Sequence, residues 1–326
     1  MTFSLATFNV RDFFDDEPPQ VIGELDRGEF TPEKRERARG LLRNKVESVA
    51  NVLNRLDADV VCLQEIKNER VCRLVIERLE GRIGTYTTVA VGGGDDARGI
   101  KTAVLSRLPL AAEPLKHTRD EDPAGFALPR CAEADPEPAV FHFRRGLLEV
   151  PLTMSDGTRL TIFNVHLKSN YPIHFRAPTS QGDLSDAMVR TGMYRLAEAV
   201  RVRRLADARL AEYPTGHVVV AGDFNEGADS LVLRAVAGDA VEEARRHLPG
   251  ALHSATAGIP ADRRWSIHYR GRKELLDHVL MSKGLWSRFH EARILNEVLY
   301  DPDACLKERS REGAESDHAA VLATFR

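Results

Sequence analysis

Short apolar segments, each interrupted or followed by a polar residue, recur along this chain and constrain its fold more than any other feature. The clearest are Phe3 to Val10, Asp59 to Glu65, Leu160 to Val165, Val218 to Ala221 and Leu275 to Met281. Their length and their content of β-branched residues are typical of buried strands. We therefore expect strands that aim several polar side chains at a common point.

Three segments with helical spacing of apolar residues lie between these strands. The first begins at Thr31 as N-cap and continues to Leu56, and the second runs from about Glu69 to Leu79. The third, Leu184 to Leu210, is predicted to present a narrow apolar face made of Val189, Met193, Leu196 and Val200. Because the strands alternate with few long helices and several hairpin signals occur, the pattern favours an α/β fold with a mixed sheet and helices outside it.

The chain has 326 residues, which exceeds the usual domain length of about 150 residues. No linker divides it, so the sequence predicts a single domain over residues 1–326. Two stretches rich in acidic residues and proline, 11–31 and 118–139, are predicted to be surface insertions.

The charge and the cysteines limit the classes of function. A net charge of -3 argues against a large non-specific footprint on duplex DNA, although a local basic rim remains compatible with nucleic acid. The four cysteines form no Cys-x-x-Cys pair, which argues against a zinc or redox motif and suits a reducing compartment, here the cytoplasm. No apolar run is long enough to cross a membrane, and no feature indicates an obligate protein partner.

Polar residues on the first two strands are candidates for a metal site. The amide of Asn9 can donate to a phosphate oxygen or face the water around a metal ion, and the alternative is a bond to the adjacent loop. Glu65 offers the hard oxygen ligand that magnesium takes, and the alternative is a surface pair with Lys67.

The next two strands end in residues suited to phosphoryl chemistry. His166 can donate to a phosphoryl oxygen, and the alternative is a structural histidine. Asp223 and Asn225 occupy alternate positions, so their side chains point to one side. Asp223 can orient or deprotonate the attacking water while Asn225 donates to phosphate, although a plain turn explains the same residues.

A further carboxylate, Asp277, breaks an apolar run, so its burial demands a partner. His318 is the candidate partner, because a carboxylate fixes the tautomer of the ring and raises its basicity. Its neighbour Asp317 is placed to reach the ligand shell of a metal, although coincidence explains either Asp-His pair alone. Phosphoester hydrolysis needs cations and hydrogen-bond donors around the phosphate and a group that handles water. The candidates supply these together, as a metal bound by carboxylates, an aspartate near the water, two histidines and two amides.

These motifs resemble the endonuclease/exonuclease/phosphatase superfamily with its DNase-I-like fold. The phrases FNV, CLQE, NVHLKS, AGDFN, LDHVL and SDH stand in that family's order between Asn9 and His318. The resemblance implies a four-layered α/β sandwich, in which helices flank two packed mixed sheets. It also implies Mg²⁺, or Mn²⁺ in its place, with Glu65 as the main ligand and Asn9 and Asp317 near the metal.

The same resemblance implies roles for the remaining polar residues. Asp223 and Asn225 handle water and phosphate, while His166 and His318 contact the phosphoryl oxygens and Asp277 orients His318. His278 stands where many relatives have Tyr and is treated as a tolerated neighbour of Asp277. The loop Leu-Lys-Ser-Asn-Tyr-Pro that follows His166 differs from that of abasic-site repair endonucleases, which disfavours a repair function.

Three basic side chains are candidates for phosphate binding. Lys168 is placed to contact a backbone phosphate beside His166. Arg98 and Arg145 resemble family positions that line the cleft, and the alternative for both is an ordinary solvated arginine. The arginines of segment 184–210 spread around its polar side, so a solvated outer face is predicted there rather than a DNA-binding patch.

The expected activity is metal-dependent hydrolysis of phosphodiester bonds by a nuclease with little sequence preference, since no module for reading bases is evident. A phosphatase or phosphodiesterase of a small or lipid substrate, such as an inositol phosphate or sphingomyelin, is the alternative. An inactive family member that acts as a binding module ranks last, because Glu65, Asp223 and His318 are all present.

Overall fold

The computed structural model describes residues 3–15, 32–80, 86–94, 96, 98–118, 143–174, 177–239, 250–269, 271–297, 299 and 316–326. The predicted N-cap Thr31 and most of the two predicted insertions lie outside these residues.

Fourteen strands and five helices are assigned within the described residues. The strands are β1 (Phe3–Phe13), β2 (Val60–Ile66), β3 (Thr88–Val91), β4 (Lys101–Ser106), β5 (Leu115–His117), β6 (Leu147–Thr153), β7 (Arg159–His166), β8 (His217–Asp223), β9 (Leu252–Ser254), β10 (Ile267–Tyr269), β11 (Arg272–Glu274), β12 (Asp277–Ser282), β13 (Phe289–Ile294) and β14 (Val321–Phe325). The helices are α1 (Pro32–Leu56), α2 (Glu69–Ile76), α3 (Gln181–Glu212), α4 (Leu231–Ala237) and α5 (Lys283–Trp286).

The strands form two six-stranded mixed sheets and one small hairpin. The first sheet has the order β13-β14-β1-β2-β4-β3 and the second has the order β5-β6-β7-β8-β12-β9, while β10 and β11 pair separately. Each large sheet has one parallel pair at its centre, β1 with β2 and β7 with β8, and its other neighbours are antiparallel. The carboxyl ends of a parallel pair lie at the same edge, so residues that follow such strands are brought together.

Alternation along the central strands produces four layers. In β8, Val219 and Ala221 face the core between the two sheets, whereas Val218 and Val220 face α3 and α4. On the first sheet, the side chains between the sheets alternate with others that pack against α1 and α2. The predicted four-layered α/β sandwich is therefore confirmed.

Helix α3 differs from its prediction in its start and in its buried face. It begins at Gln181, because Ser180 and Asp183 form a reciprocal capping box. Its buried residues include several alanines, while Val189 is 55% exposed and Leu196 packs partly buried against the core, so the predicted apolar face is only partly correct. Because alanine side chains are small, the helix packs closely against the second sheet. Residues of α3 outside the predicted face are therefore buried as well.

The shortest elements were not predicted. β5, β9, β10 and β11 have three residues each, which is too few for an alternating pattern to be recognised. Across the described ranges, no helix combines the length and apolar character needed to cross a membrane.

Two buried amides join the sheets near the carboxyl ends of their parallel pairs. Gln64 of β2 donates from Nε2 to Oδ1 of Asn164 on β7 at 2.7 Å. Asn164 in turn donates from Nδ2 to the carbonyl oxygens of Leu63 at 3.0 Å and Ala103 at 2.8 Å. Both side chains are fully buried. Because these bonds have direction, they fix how one sheet is placed on the other.

We expect Asn164→Leu to lower the free energy of unfolding by about 3 kcal/mol, since each buried polar group left without a partner costs roughly 1–3 kcal/mol. Gln64→Leu should do the same, but the double variant should lose less than the sum of the two, because neither amide is then stranded. Urea denaturation measures all three values, with the exposed Asn51→Leu as control. Additive losses would show that the two amides are not coupled.

Candidate active site

Residues from both sheets meet at the carboxyl ends of the two parallel strand pairs. Asn9 donates from Nδ2 to Oδ2 of Asp223 at 2.9 Å and faces Oε1 of Glu65 at 3.5 Å. His166 Nε2 lies 3.5 Å from Oδ2 of Asp223 and 3.7 Å from Oε1 of Glu65. Four candidates that are far apart in sequence therefore share one small volume.

The imidazole of His166 is buried and uncharged. Burial lowers the pKa of His166 well below its ordinary value, and the positive charges of Arg145, Arg98 and His318 lower it further. A neutral ring has one donor and one acceptor nitrogen. It can therefore share a proton with a carboxylate or donate to a bound anion.

The second histidine is held as a cation by the predicted carboxylate. Oδ2 of Asp277 lies 2.7 Å from Nδ1 of His318 and also accepts from the hydroxyl of Ser266 at 2.7 Å. Burial opposes charge on the ring, but the contact with Asp277 and the charge of Asp223 raise the pKa of His318 well above its ordinary value. Because Nδ1 is engaged by Asp277, Nε2 is the nitrogen left to meet a substrate.

A close approach between β7 and β8 sets the position of Asp223. A Cβ atom on Gly222 would lie 1.9 Å from the carbonyl oxygen of Val165, so only glycine fits there. Oδ1 of Asp223 accepts from the backbone of Asn225 at 2.8 Å. Burial raises the pKa of Asp223 to about 7, a value suited to exchanging a proton with water near neutral pH.

Unfavourable backbone conformations concentrate at this site. Among the described residues, five residues other than glycine have a positive φ, and four of them are Arg11 (53°), Asp12 (44°), Glu65 (62°) and Asn225 (53°). Such conformations cost roughly 1–3 kcal/mol each and persist where the surroundings impose them. Their clustering here indicates that function, rather than stability, determines the local backbone.

Carboxylate and amide oxygens around Glu65 fit a hard divalent cation. The backbone of Asp12 donates to Oε2 of Glu65 at 2.9 Å, and Oδ1 of Asn9 accepts from the backbone of Arg11 at 2.9 Å. Burial and the charge of Glu65 raise the pKa of Asp12 to about 6. A cation between these two carboxylates would reduce their mutual repulsion. A site that offers only oxygen ligands suits Mg²⁺ or Mn²⁺. Asp317 lies at the rim, with Oδ2 3.8 Å from Nε of Arg11.

A second group of side chains is also arranged so that it could bind a metal ion. Asp223, Asp277 and His318 place potential ligand atoms within 4.8 Å of one another. However, Nδ1 of His318 is engaged by Asp277, so that atom has no lone pair free for an ion while this contact is present. The oxygens around Glu65 therefore suit a hard cation better than this group does, and the Asp277–His318 pair suits stabilisation of negative charge.

The two candidate arginines are both bonded to neighbouring polar groups, although the side chain of Arg98 is 43% exposed. Nη1 of Arg98 lies 2.9 Å from Oδ1 of Asp12 and 3.8 Å from Oε2 of Glu65. Arg145 is 5% exposed and donates from Nη1 to the carbonyl of Leu167 at 2.7 Å. Arg98 is thus at the acidic oxygens, while Arg145 supports the loop that follows His166.

Lys168 folds back on its own loop. Its ammonium donates to the carbonyls of Ser169 at 2.9 Å and Tyr171 at 2.7 Å. Burial and the charge of Arg145 lower the pKa of Lys168 to about 8. To contact a phosphate, this side chain has to exchange these carbonyls for phosphate oxygens.

Three residues at or near the site, Asp12, Asp96 and Ser266, are absent from the candidates that the sequence predicts. Asp12 follows Asn9 by three residues and was included in a predicted surface insertion, although its proximity to Asn9 was a usable signal. Asp96 Oδ2 lies 3.5 Å from Nε of Arg145. Ser266 bonds to Asp277 from a loop between short strands, and no sequence pattern indicated that contact.

Comparison with known proteins agrees with this architecture. The model of the Endonuclease/Exonuclease/phosphatase family matches residues 6–318. No curated protein sequence matches the chain. A truncated TDP2 from Caenorhabditis elegans aligns with a TM-score of 0.57 at 14% identity, covering 99% of this chain and 97% of that one.

Two bacterial structures described as endonuclease/exonuclease/phosphatase proteins are similar to the same extent. The one from Bacteroides thetaiotaomicron has a TM-score of 0.57 at 14% identity and covers 100% of this chain and 97% of its own. The one from Beutenbergia cavernae has a TM-score of 0.54 at 15% identity and covers 100% and 71%. At these identities, the likeness establishes the fold.

We expect Glu65→Gln to weaken Mg²⁺ binding at least tenfold, because it removes a charged oxygen ligand. Isothermal titration calorimetry measures this directly and does not depend on activity. The control is Glu69→Gln, since Glu69 is an exposed carboxylate paired with Arg73 on α2. Equal Mg²⁺ affinity in wild type and Glu65→Gln would place the metal elsewhere.

Proposed function

The chain belongs to the endonuclease/exonuclease/phosphatase family, whose members are generally metal-dependent hydrolases of phosphoester bonds, and we propose that it cleaves phosphodiesters of DNA or RNA with little sequence preference. One observation carries the proposal: the Asp277–His318 pair, at 2.7 Å, lies beside Asp223, a buried carboxyl with a pKa of about 7. A fixed cation next to a base suits attack of water on a phosphate.

The proposed roles follow from the protonation states. Asp223, whose pKa lies close to neutral pH, takes a proton from the water as that water's oxygen bonds to phosphorus. The P–O bond to the leaving alcohol breaks in the same displacement, and the leaving oxygen takes a proton from solvent. His318 donates from Nε2 to a phosphoryl oxygen, and Asn225 offers its remaining amide hydrogen to another. His166 orients Asp223 and contacts the phosphate. A divalent cation held by Glu65, Asn9 and Asp317, with Asp12 close by, would neutralise negative charge on the phosphate.

The surroundings of the site support a substrate that carries nucleobases. The loop that follows His166 presents Tyr171, whose side chain is 78% exposed although its backbone carbonyl is bound by Lys168. An exposed aromatic ring on an anchored backbone can stack on a base of any identity. Together with Lys168, Arg98 and Arg145 as phosphate contacts, this arrangement supports binding without sequence readout.

A panel of substrates tests the proposal. With Mg²⁺, the protein should cleave plasmid, single-stranded DNA or RNA at similar rates across sequences and leave inositol phosphates and sphingomyelin intact. Tyr171→Ala should raise KM for a single-stranded oligonucleotide roughly 5- to 100-fold, because stacking contributes about 1–3 kcal/mol per base. Tyr171→Phe keeps the ring and should leave KM unchanged. Release of phosphate or a headgroup from the lipid or inositol substrates alone would replace the nuclease with the small-substrate enzyme.

We expect His318→Ala to reduce kcat by about 100- to 1,000-fold, as loss of a preorganised donor to developing charge does elsewhere. Asp277→Asn should cost less, because the ring remains present although its orientation and charge are less well maintained. Steady-state rates on the best substrate of the panel measure both, with the exposed His290→Ala as control. Wild-type turnover in His318→Ala would refute this role.

A further inference from the structure

Two oppositely charged side chains from the middle of α3 are buried, contrary to the prediction that its arginines form a solvated face. Arg195 is 4% exposed and Glu198 is 1% exposed. They lie three residues apart, so they occupy the same side of the helix. That side faces the loops that follow β7 and β8.

The guanidinium of Arg195 ties two of these loops together. Its Nε and Nη2 donate to Oε1 of Glu226, at 2.9 Å and 2.5 Å, in the loop after β8. Its Nη1 donates to the carbonyl of Lys168 at 2.8 Å, and Nη2 donates to Oδ1 of Asn170 at 2.6 Å, both in the loop after β7. One planar group therefore sets the separation of two loops, which a single-point cation such as Lys cannot do.

The carboxylate of Glu198 adds a third loop. Its Oε2 accepts from the backbone of Lys168 at 2.6 Å, and its Oε1 accepts from the backbone of Arg144 at 3.4 Å. Burial raises the pKa of Glu198 to about 7, although these backbone donors and the charge of Arg145 oppose the rise. The backbone of Lys168 is thus bonded on both sides: its carbonyl oxygen accepts from Arg195, and its amide donates to Glu198.

The three loops carry groups that face the site. Asn225 and Arg145 both donate to the carbonyl of Leu167, at 3.0 Å and 2.7 Å. Leu167 directly follows His166, and Glu226 directly follows Asn225. The backbone carbonyl of Glu226 is bonded in turn to Nε2 of His278 at 2.9 Å. A shift of the loop after β7 therefore displaces phosphate donors contributed by three separate segments.

Stability alone does not account for these two charges. Each buried ion costs several kcal/mol to desolvate, and apolar side chains of similar volume often give equal or greater stability. The other buried positions of α3 are mostly alanine and other apolar residues, which shows that apolar packing suits this interface. The guanidinium and the carboxylate instead contribute positional specificity, because their hydrogen bonds have fixed directions and so define the position of each loop.

We propose that Arg195 and Glu198 are positioning residues that hold the loops after β7 and β8, and the segment before β6, in register for phosphate binding. The inference rests on the proposed phosphodiesterase function. Neither side chain touches the reacting atoms; both act through Lys168, Asn225 and Arg145. A misplacement of about 1 Å at a reacting centre can cost roughly 100-fold in rate, so loss of either side chain should affect turnover more than stability.

The test compares Arg195→Met, Arg195→Lys and Glu198→Gln with Arg204→Met, a change at an exposed arginine of the same helix. Hydrogen exchange should be at least tenfold faster in peptides covering 167–171 and 224–227 of Arg195→Met and Glu198→Gln, and unchanged in β7 and β8. Their kcat on the best phosphodiester should fall 10- to 100-fold, while Mg²⁺ affinity stays within twofold of wild type. Arg195→Lys should be intermediate, and Arg204→Met should match wild type.

Calorimetry with inorganic phosphate in the presence of Mg²⁺ separates this inference from the function on which it rests. Even if the wild type hydrolyses no phosphoester, so that the proposed function fails, Arg195→Met should weaken phosphate binding at least fivefold and loosen the loops. Unchanged exchange in the loops, or loosened loops with wild-type kcat and phosphate affinity, would overturn the inference. If Arg195→Met fails to fold, Glu198→Gln and Arg195→Lys decide by the same criteria.

Discussion

The bond between the amides of Gln64 and Asn164 is the contact on which the geometry of the site depends. Asn9 and Glu65 belong to the first sheet, whereas His166 and Asp223 belong to the second. Apolar packing between the sheets is not directional, so it tolerates small sliding movements. A buried amide pair does not, because any shift leaves a donor or an acceptor unsatisfied. The 2.9 Å bond from Asn9 to Asp223 then repeats the same constraint within the site itself.

The site combines crowded carboxylates with buried cations, and this explains its protonation states. Burial raises the pKa values of Asp12 and Asp223. Asp277, at 2.7 Å, raises the pKa of His318, whereas burial prevails at His166, which lies 3.5 Å from Asp223. The two histidines thus differ in charge because of their neighbours. A chain with a net charge of -3 still produces a strongly polarised site, because local arrangement matters more than the total.

Much of this arrangement followed from the sequence, because strand ends and burial are local properties. Asn9, Glu65, His166 and Asp223 each mark the end of an apolar run, and parallel pairing brings such ends together. The partnership of Asp277 with His318 was predicted from the need to neutralise a buried carboxylate. Their contact is present, while their catalytic roles stay predictions.

Other features depend on tertiary contacts that no local pattern records. Arg195 was assigned to a solvated face, because a helical wheel shows where a side chain points but not which loop comes to meet it. The buried face of α3 differs from its prediction for a related reason, since Tyr194, Val202 and several alanines pack against the second sheet while Val189 is exposed. Asp12 was hidden within a polar loop whose positive φ values only the structure reveals.

The order of the strands also has a consequence for biosynthesis. The hydroxyl of Ser316 donates to the carbonyl of Asn9 across a sequence separation of 307 residues, and β14 pairs with β1 beside that contact. The end of β1 at the candidate site therefore lacks its neighbour, and His318 is absent, until the last strand of this sequence has been synthesised. The candidate site is therefore completed only late in synthesis, however early the remaining strands fold.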